Sequence, residues 1–102
     1  MPPAESLTAY ADCEQLCERA LNAPNGIAVR DLTEQSAQRL VYRLNSFRVR
    51  DRRRSYRIYE HDHPMRGKSP YDILEFRRFV SGGAWEVQIK RIQVEDYTVV
   101  EL

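Results

Sequence analysis

The segment "FRVRDRRRSYRIY" (47–59) holds six arginines and one aspartate between aromatic residues. A guanidinium presents a planar fork of N–H donors that matches phosphate and carboxylate oxygens and stacks on flat rings. From Arg39 to Arg57 there are eight arginines and one acid, Asp51, a local charge of +7 in a chain of formal charge +1. The other residues must then sum to −6. A near-neutral chain with one concentrated basic segment points to a localised anionic partner, not to a generally adhesive surface.

On a helical wheel of about 100° per residue, Arg39, Arg43, Arg50, Arg54 and Arg57 share a stripe roughly 60° wide. The apolar residues Ala37, Leu40, Leu44 and Phe47 centre near 120° from Arg39. Tyr42, Val49 and Tyr56 recur every seventh residue along another edge. Arg52, Arg53 and Lys68 flank the ridge. A solvated helix face ordinarily mixes signs, because opposite charges four residues apart stabilise it and like charges repel. This stripe contains no acid.

Three readings follow. In the first, the arginines neutralise phosphates of DNA or RNA while Tyr42 and Tyr56 pack on sugar or base. In the second, the basic helix docks on an acidic surface of a larger protein, as an inhibitor or adaptor. The Tyr42–Val49–Tyr56 row would then be a helix seam, which also admits a homodimer. In the third, the face is solvated or paired internally, with Glu60, Asp62, Glu75, Glu86, Glu95 and Asp96 as partners. Asp51 and Ser55 interrupt the apolar side of the wheel. That break implies either a helix projecting beyond the core or a local Asp51–arginine pair.

Other constellations are weaker. "EHDHP" (60–64) places His61 and His63 two apart beside Glu60 and Asp62, suitable ligand types for zinc, iron or manganese. They are the only two histidines, and nothing else completes a shell. "DHP" with Gly67 is similar to the opening of an HNH nuclease motif, but no later histidine follows. "RGKS" (66–69) has the ending of a phosphate-binding loop, yet Asp62 stands where that pattern needs glycine, and Pro70 follows. Ser46, Ser69 and Ser81 have no His–Asp partners at usable spacing. Cys13 and Cys17, four apart, share a helix face and read as reduced, apolar core residues. No cofactor, no metal site and no enzymatic activity are expected.

Positioning these residues requires a frame. The length of 102 residues and the 42% hydrophobic fraction fit one small domain spanning 1–102, with residues 1–5 a loose tail and 60–70 a loop. Ser6 or Thr8 can cap a helix running to about Leu21, on which Ala9, Cys13, Leu16, Cys17 and Ala20 recur. "NAPNG" (22–26) stops it, and "GIAVRD" (26–31) reads as a buried strand. Thr33 is the natural N-cap of a long second helix to about Tyr59, with a break near residue 50 left open. Ser69-Pro70 with Asp72 is a good helix start, yet "YDILEFRRFV" (71–80) is β-rich and reads better as a strand. "AWEVQIKRI" (84–92) alternates cleanly and forms a hairpin with it around "SGG" (81–83), and "YTVVEL" (97–102) is a candidate last strand.

The order α-β-α-β-β, with a further β, gives an α+β class: a two-layer domain with the long second helix packed on a small mixed sheet. No apolar run reaches membrane-spanning length, and "MPPAESLTAY" has neither the basic start nor the apolar stretch of a secretory signal. A cytoplasmic protein without a membrane partner is expected. In size and style the chain resembles small accessory proteins of bacteriophages and mobile elements, a resemblance that assigns no residue a role.

Overall fold

The computed structural model describes residues 9–92, in the order helix α1 (Ala11–Asn22), strand β1 (Ile27–Leu32), helix α2 (Glu34–Ile58), a 3-10 turn (Pro70–Ile73), strand β2 (Leu74–Ser81) and strand β3 (Ala84–Arg91). The class is α+β, as the order of elements implies. The expected tail at 1–5 and the last strand at 97–102 lie outside the described residues.

α2 is the spine of the domain. Thr33 caps it, its Oγ1 accepting from Ser36 N at 3.1 Å. It runs without a break for 25 residues, so the interruption left open near residue 50 does not occur. Its rise is about 37 Å at 1.5 Å per residue. Ala37, Leu44 and Phe47 are buried beneath it. α1 starts later than the sequence suggests: Tyr10 stands at its N-cap and makes no side-chain cap. Arg43 reaches across instead, donating to the Ala9 carbonyl and to both Asp12 carboxylate oxygens.

β1 and β2 flank β3 in the order β1-β3-β2, and both pairings are antiparallel. The described sheet is therefore antiparallel throughout, not mixed. The crossover β1–α2–β2 does leave β1 and β2 parallel to each other. The tight hairpin then folds β3 back between them, so no parallel pair makes contact. β3 takes the centre because its face of Trp85, Val87 and Ile89 is the best apolar strip available; Val87 and Ile89 are fully buried. Gly82 and Gly83 both have positive φ, as a two-residue hairpin turn demands. β1 is a half-buried edge strand, not a buried one, and a bulge at Val29–Leu32 places Asp31 at φ 61°.

The 71–80 region satisfies both of its sequence signals in turn. Ser69 and Asp72 form a capping box around Pro70, which starts a single 3-10 turn. At Leu74 the chain extends into β2.

Cys13 and Cys17 are free thiols buried in the core, facing the sheet from α1. Burial pushes Cys13 up to about 11 and Cys17 up to about 12, with the neighbouring Asp12 and Cys13 adding to each respectively. Neither forms a thiolate at neutral pH. Iodoacetamide at about pH 8 is expected to leave both unmodified in the folded protein and to alkylate both in denaturant. Mass spectrometry reads the difference directly; rapid labelling of the native protein would contradict this packing.

Candidate nucleic-acid interface

The fold sorts the eight arginines of α2 into two groups. Three are engaged internally. Arg43 grips Asp12, with Nη1–Oδ2 at 2.5 Å, and that hydrogen bond holds the Asp12 carboxyl below its usual range. Arg48 turns inward: Nη1 donates to the Leu74 carbonyl at 2.6 Å and Nη2 to Asn45 Oδ1 at 3.0 Å. Its guanidinium lies 4.5 Å from the Phe76 ring centre, and burial lowers its pKa. Arg52 donates through Nε to Asp72 Oδ1 at 2.6 Å. Burial alone would raise Asp72, but the hydrogen bonds from Arg52 and the Ser69 backbone outweigh it and lower the pKa.

The other five, Arg39, Arg50, Arg53, Arg54 and Arg57, are exposed. None has an ion-pair or hydrogen-bond partner among the described residues. Arg50 sits over the Tyr10 ring, 5.2 Å from its centre. Of the acids considered as internal partners, Glu75 meets Arg77 at 3.3 Å, while the carboxylates that do bind α2 are Asp12 and Asp72. Glu95 and Asp96 lie outside the described residues.

Each side of α2 has a different neighbour. The edge bearing Arg43 and Arg50 faces the start of α1, through Asp12 and Tyr10. The edge bearing Asp51, Arg52 and Ser55 faces the returning chain at 66–72. Ser55, which is buried, donates from Oγ to the Arg52 carbonyl and accepts from Gly67 N at 2.6 Å. Ser69 Oγ donates to Asp51 Oδ2 at 2.6 Å. The polar break on the apolar side of the wheel is therefore neither a projecting arm nor an Asp51–arginine pair. It is an anchor for the loop, because short polar side chains can satisfy backbone groups that a loop brings against a helix.

Between these flanks α2 presents one outward strip. Tyr42 is 73% exposed, Val49 40% and Tyr56 56%. On the wheel Arg53 falls between the tyrosine row and Arg57, so a residue that the sequence places at the flank sits at the centre of the strip. Lys68 is also exposed, one residue beyond the anchored Gly67. A contributor missed from sequence is Arg66, whose guanidinium lies 5.2 Å from the Tyr56 ring centre. Only the anchoring of the loop reveals it, since ten residues separate the two.

Ser55→Ala tests the anchor. It leaves the Gly67 N–H without its partner, a cost of about 1–3 kcal/mol for a buried donor. A lower melting temperature and faster amide exchange at Gly67 are the expected outcome; an unchanged exchange rate would mean the loop is held elsewhere.

The histidines do other work. His63 Nδ1 accepts from Met65 N at 3.0 Å, and its ring stacks on Tyr59 with centres 4.3 Å apart. His61 Nδ1 lies 2.7 Å from Arg66 Nη1. Among the described residues, no three His, Cys, Asp or Glu side chains converge to hold a metal ion, and no helix is long and apolar enough to cross a membrane. No family model, no curated protein and no solved structure matches this chain.

Proposed function

We propose that the chain is a small, non-enzymatic nucleic-acid-binding protein that contacts phosphates through the outward strip of α2. The observation that carries this reading is the division of the arginines. Those that could be neutralised by the chain's own groups point inward or sideways. Arg39, Arg50, Arg53, Arg54 and Arg57 stay exposed on one rigid rod, without carboxylate partners among the described residues. Five like charges held along one helix repel each other, and an anion brought to them relieves that repulsion.

The Tyr42–Val49–Tyr56 row favours a second reading, in which α2 docks on an acidic protein surface. Three exposed side chains at seven-residue spacing suit a helix seam. The flanking arginines would oppose a second copy and welcome a partner rich in carboxylates.

Fluorescence anisotropy with labelled single- and double-stranded DNA and RNA separates the two. Binding at low salt that is lost in the Arg50→Ala/Arg54→Ala variant supports the phosphate surface. Absence of binding to every form contradicts it and directs the search to an acidic protein.

A further inference from the structure

We infer that the strip on α2 selects single-stranded over double-stranded nucleic acid, with Tyr56 as a pre-positioned stacking platform for an unpaired base. The inference rests on the phosphate-binding reading above and narrows its ligand.

The neighbours of α2 limit which of its faces nucleic acid can meet. A lone helix with its side chains is about 10–12 Å across and just fills a major groove about 12 Å wide. α2 is not alone. The start of α1 lies against its Arg43–Arg50 edge, and the 66–72 segment lies against its Ser55 edge. Both flanks of α2 are therefore occupied, which leaves the strip between them as its accessible face. Only the outer strip can meet nucleic acid, and it meets it as a ridge. A flexible single strand can lie along such a ridge and turn an unpaired base onto Tyr56, whereas the bases of a duplex are stacked on one another and offer that ring no free face.

Tyr56 supplies the stacking surface. Its ring is 56% exposed, yet it is held. The Arg66 guanidinium lies 5.2 Å from its centre. A Cβ placed on Gly67 would come within 2.6 Å of the Tyr56 hydroxyl oxygen, so the phenol end rests directly on the loop backbone. Gly67 is itself fixed by Ser55. The ring is thus oriented before any ligand arrives, which lowers the ordering cost of stacking. Arg53, one turn before it on the same side of the helix, lies beside it to meet an adjoining phosphate. Tyr42, at 73% exposure, stands about 21 Å away along the axis, four turns toward the N-terminus. A strand spanning the two would cross Arg53, with Arg50 at the border of the strip beside Tyr10.

The test compares labelled oligothymidine, oligodeoxyuridine and oligouridine with a labelled hairpin duplex, using the whole chain and the variants Tyr56→Ala, Tyr56→Phe and Arg53→Ala. Circular dichroism checks that each variant is folded. Base–aromatic stacking predicts that Tyr56→Ala weakens binding to the single strands by about five-fold or more. Tyr56→Phe should keep most of the affinity, since the ring is what stacks, and the duplex should respond weakly to either change. Preference for oligouridine over oligodeoxyuridine, which share the base and differ only at the 2′ position, would identify RNA as the ligand, and equal affinity a backbone-tolerant single-strand binder; both support the inference. Equal affinity for single and double strands, with Tyr56→Ala neutral and Arg53→Ala weakened, would overturn it while leaving the phosphate surface intact. No binding to any probe would overturn the inference together with the reading beneath it.

Discussion

Raising the salt concentration from about 50 to about 200 mM is expected to weaken nucleic-acid binding roughly a hundred-fold. Each phosphate neutralised on a single strand releases condensed counterions and contributes about −0.7 to the slope of log affinity against log salt. Contacts from Arg39, Arg50, Arg53, Arg54 and Arg57 give a slope of about −3.5. If all eight arginines of α2 met phosphates, the slope would be about −5.6, and the loss over the same range would exceed a thousand-fold. The slope therefore counts the arginines that the fold leaves available. Anisotropy titrations at four or more salt concentrations measure it. A slope near −5.6 would mean that about three further cations, from Arg43, Arg48 and Arg52 or from Lys68 and Arg66 beside the strip, also meet phosphates.

Phe47→Ala is expected to be the most damaging single change to the fold. The Phe47 ring lies 5.4 Å from that of Tyr71 and 6.4 Å from that of Tyr10, centre to centre. It thereby joins α2 to the 3-10 turn before β2 and to the start of α1. Removing a buried phenyl ring costs about 3–5 kcal/mol, a third or more of the stability of many small domains. At about 4–8 °C per kcal/mol for a chain of this size, the melting temperature should fall by about 12 °C or more. Leu40→Ala, at a half-buried position on the same helix, should cost clearly less. Thermal unfolding followed by circular dichroism compares them. Similar losses from both would show that the aromatic contacts add nothing beyond burial.

The legible parts of this chain are those where one periodicity acts alone. The apolar repeat from Ala37 to Phe47 specifies α2, and the alternation of Trp85, Val87 and Ile89 specifies β3. The capping residue Thr33 marks where α2 begins, because its hydroxyl acts on a backbone N–H three residues away. What the sequence does not disclose is long-range. Asp51 and Ser55 read as an interruption of the apolar face, since their partners Ser69 and Gly67 are 18 and 12 residues away, respectively, across a loop without periodicity. The ordering of the sheet is hidden for the same reason: strand propensity does not say which strand becomes the neighbour of β1.

The candidate site shows the same division. The basic segment and its tyrosine row are plain in the sequence, but the fate of each arginine is not. Arg43, on the predicted ridge, is tied to Asp12, and Arg52 is tied to Asp72, while Arg53 stands outward between Tyr42 and Tyr56. Helical spacing assigns directions only relative to the helix. The neighbours that occupy those directions come from α1 and from the 66–72 return.

Arg52 and Arg53 offer the most direct test, because they are adjacent, chemically identical and placed oppositely by the fold. The measurement is the salt dependence of oligothymidine binding for Arg52→Ala and for Arg53→Ala, alongside the wild-type chain. The phosphate-surface account predicts that Arg53→Ala lowers affinity and makes the slope shallower by about 0.7, with the melting temperature unchanged. It predicts that Arg52→Ala keeps the slope and lowers the melting temperature through loss of the Asp72 contact. Equal slopes for all three proteins, or a shallower slope for Arg52→Ala alone, would contradict it.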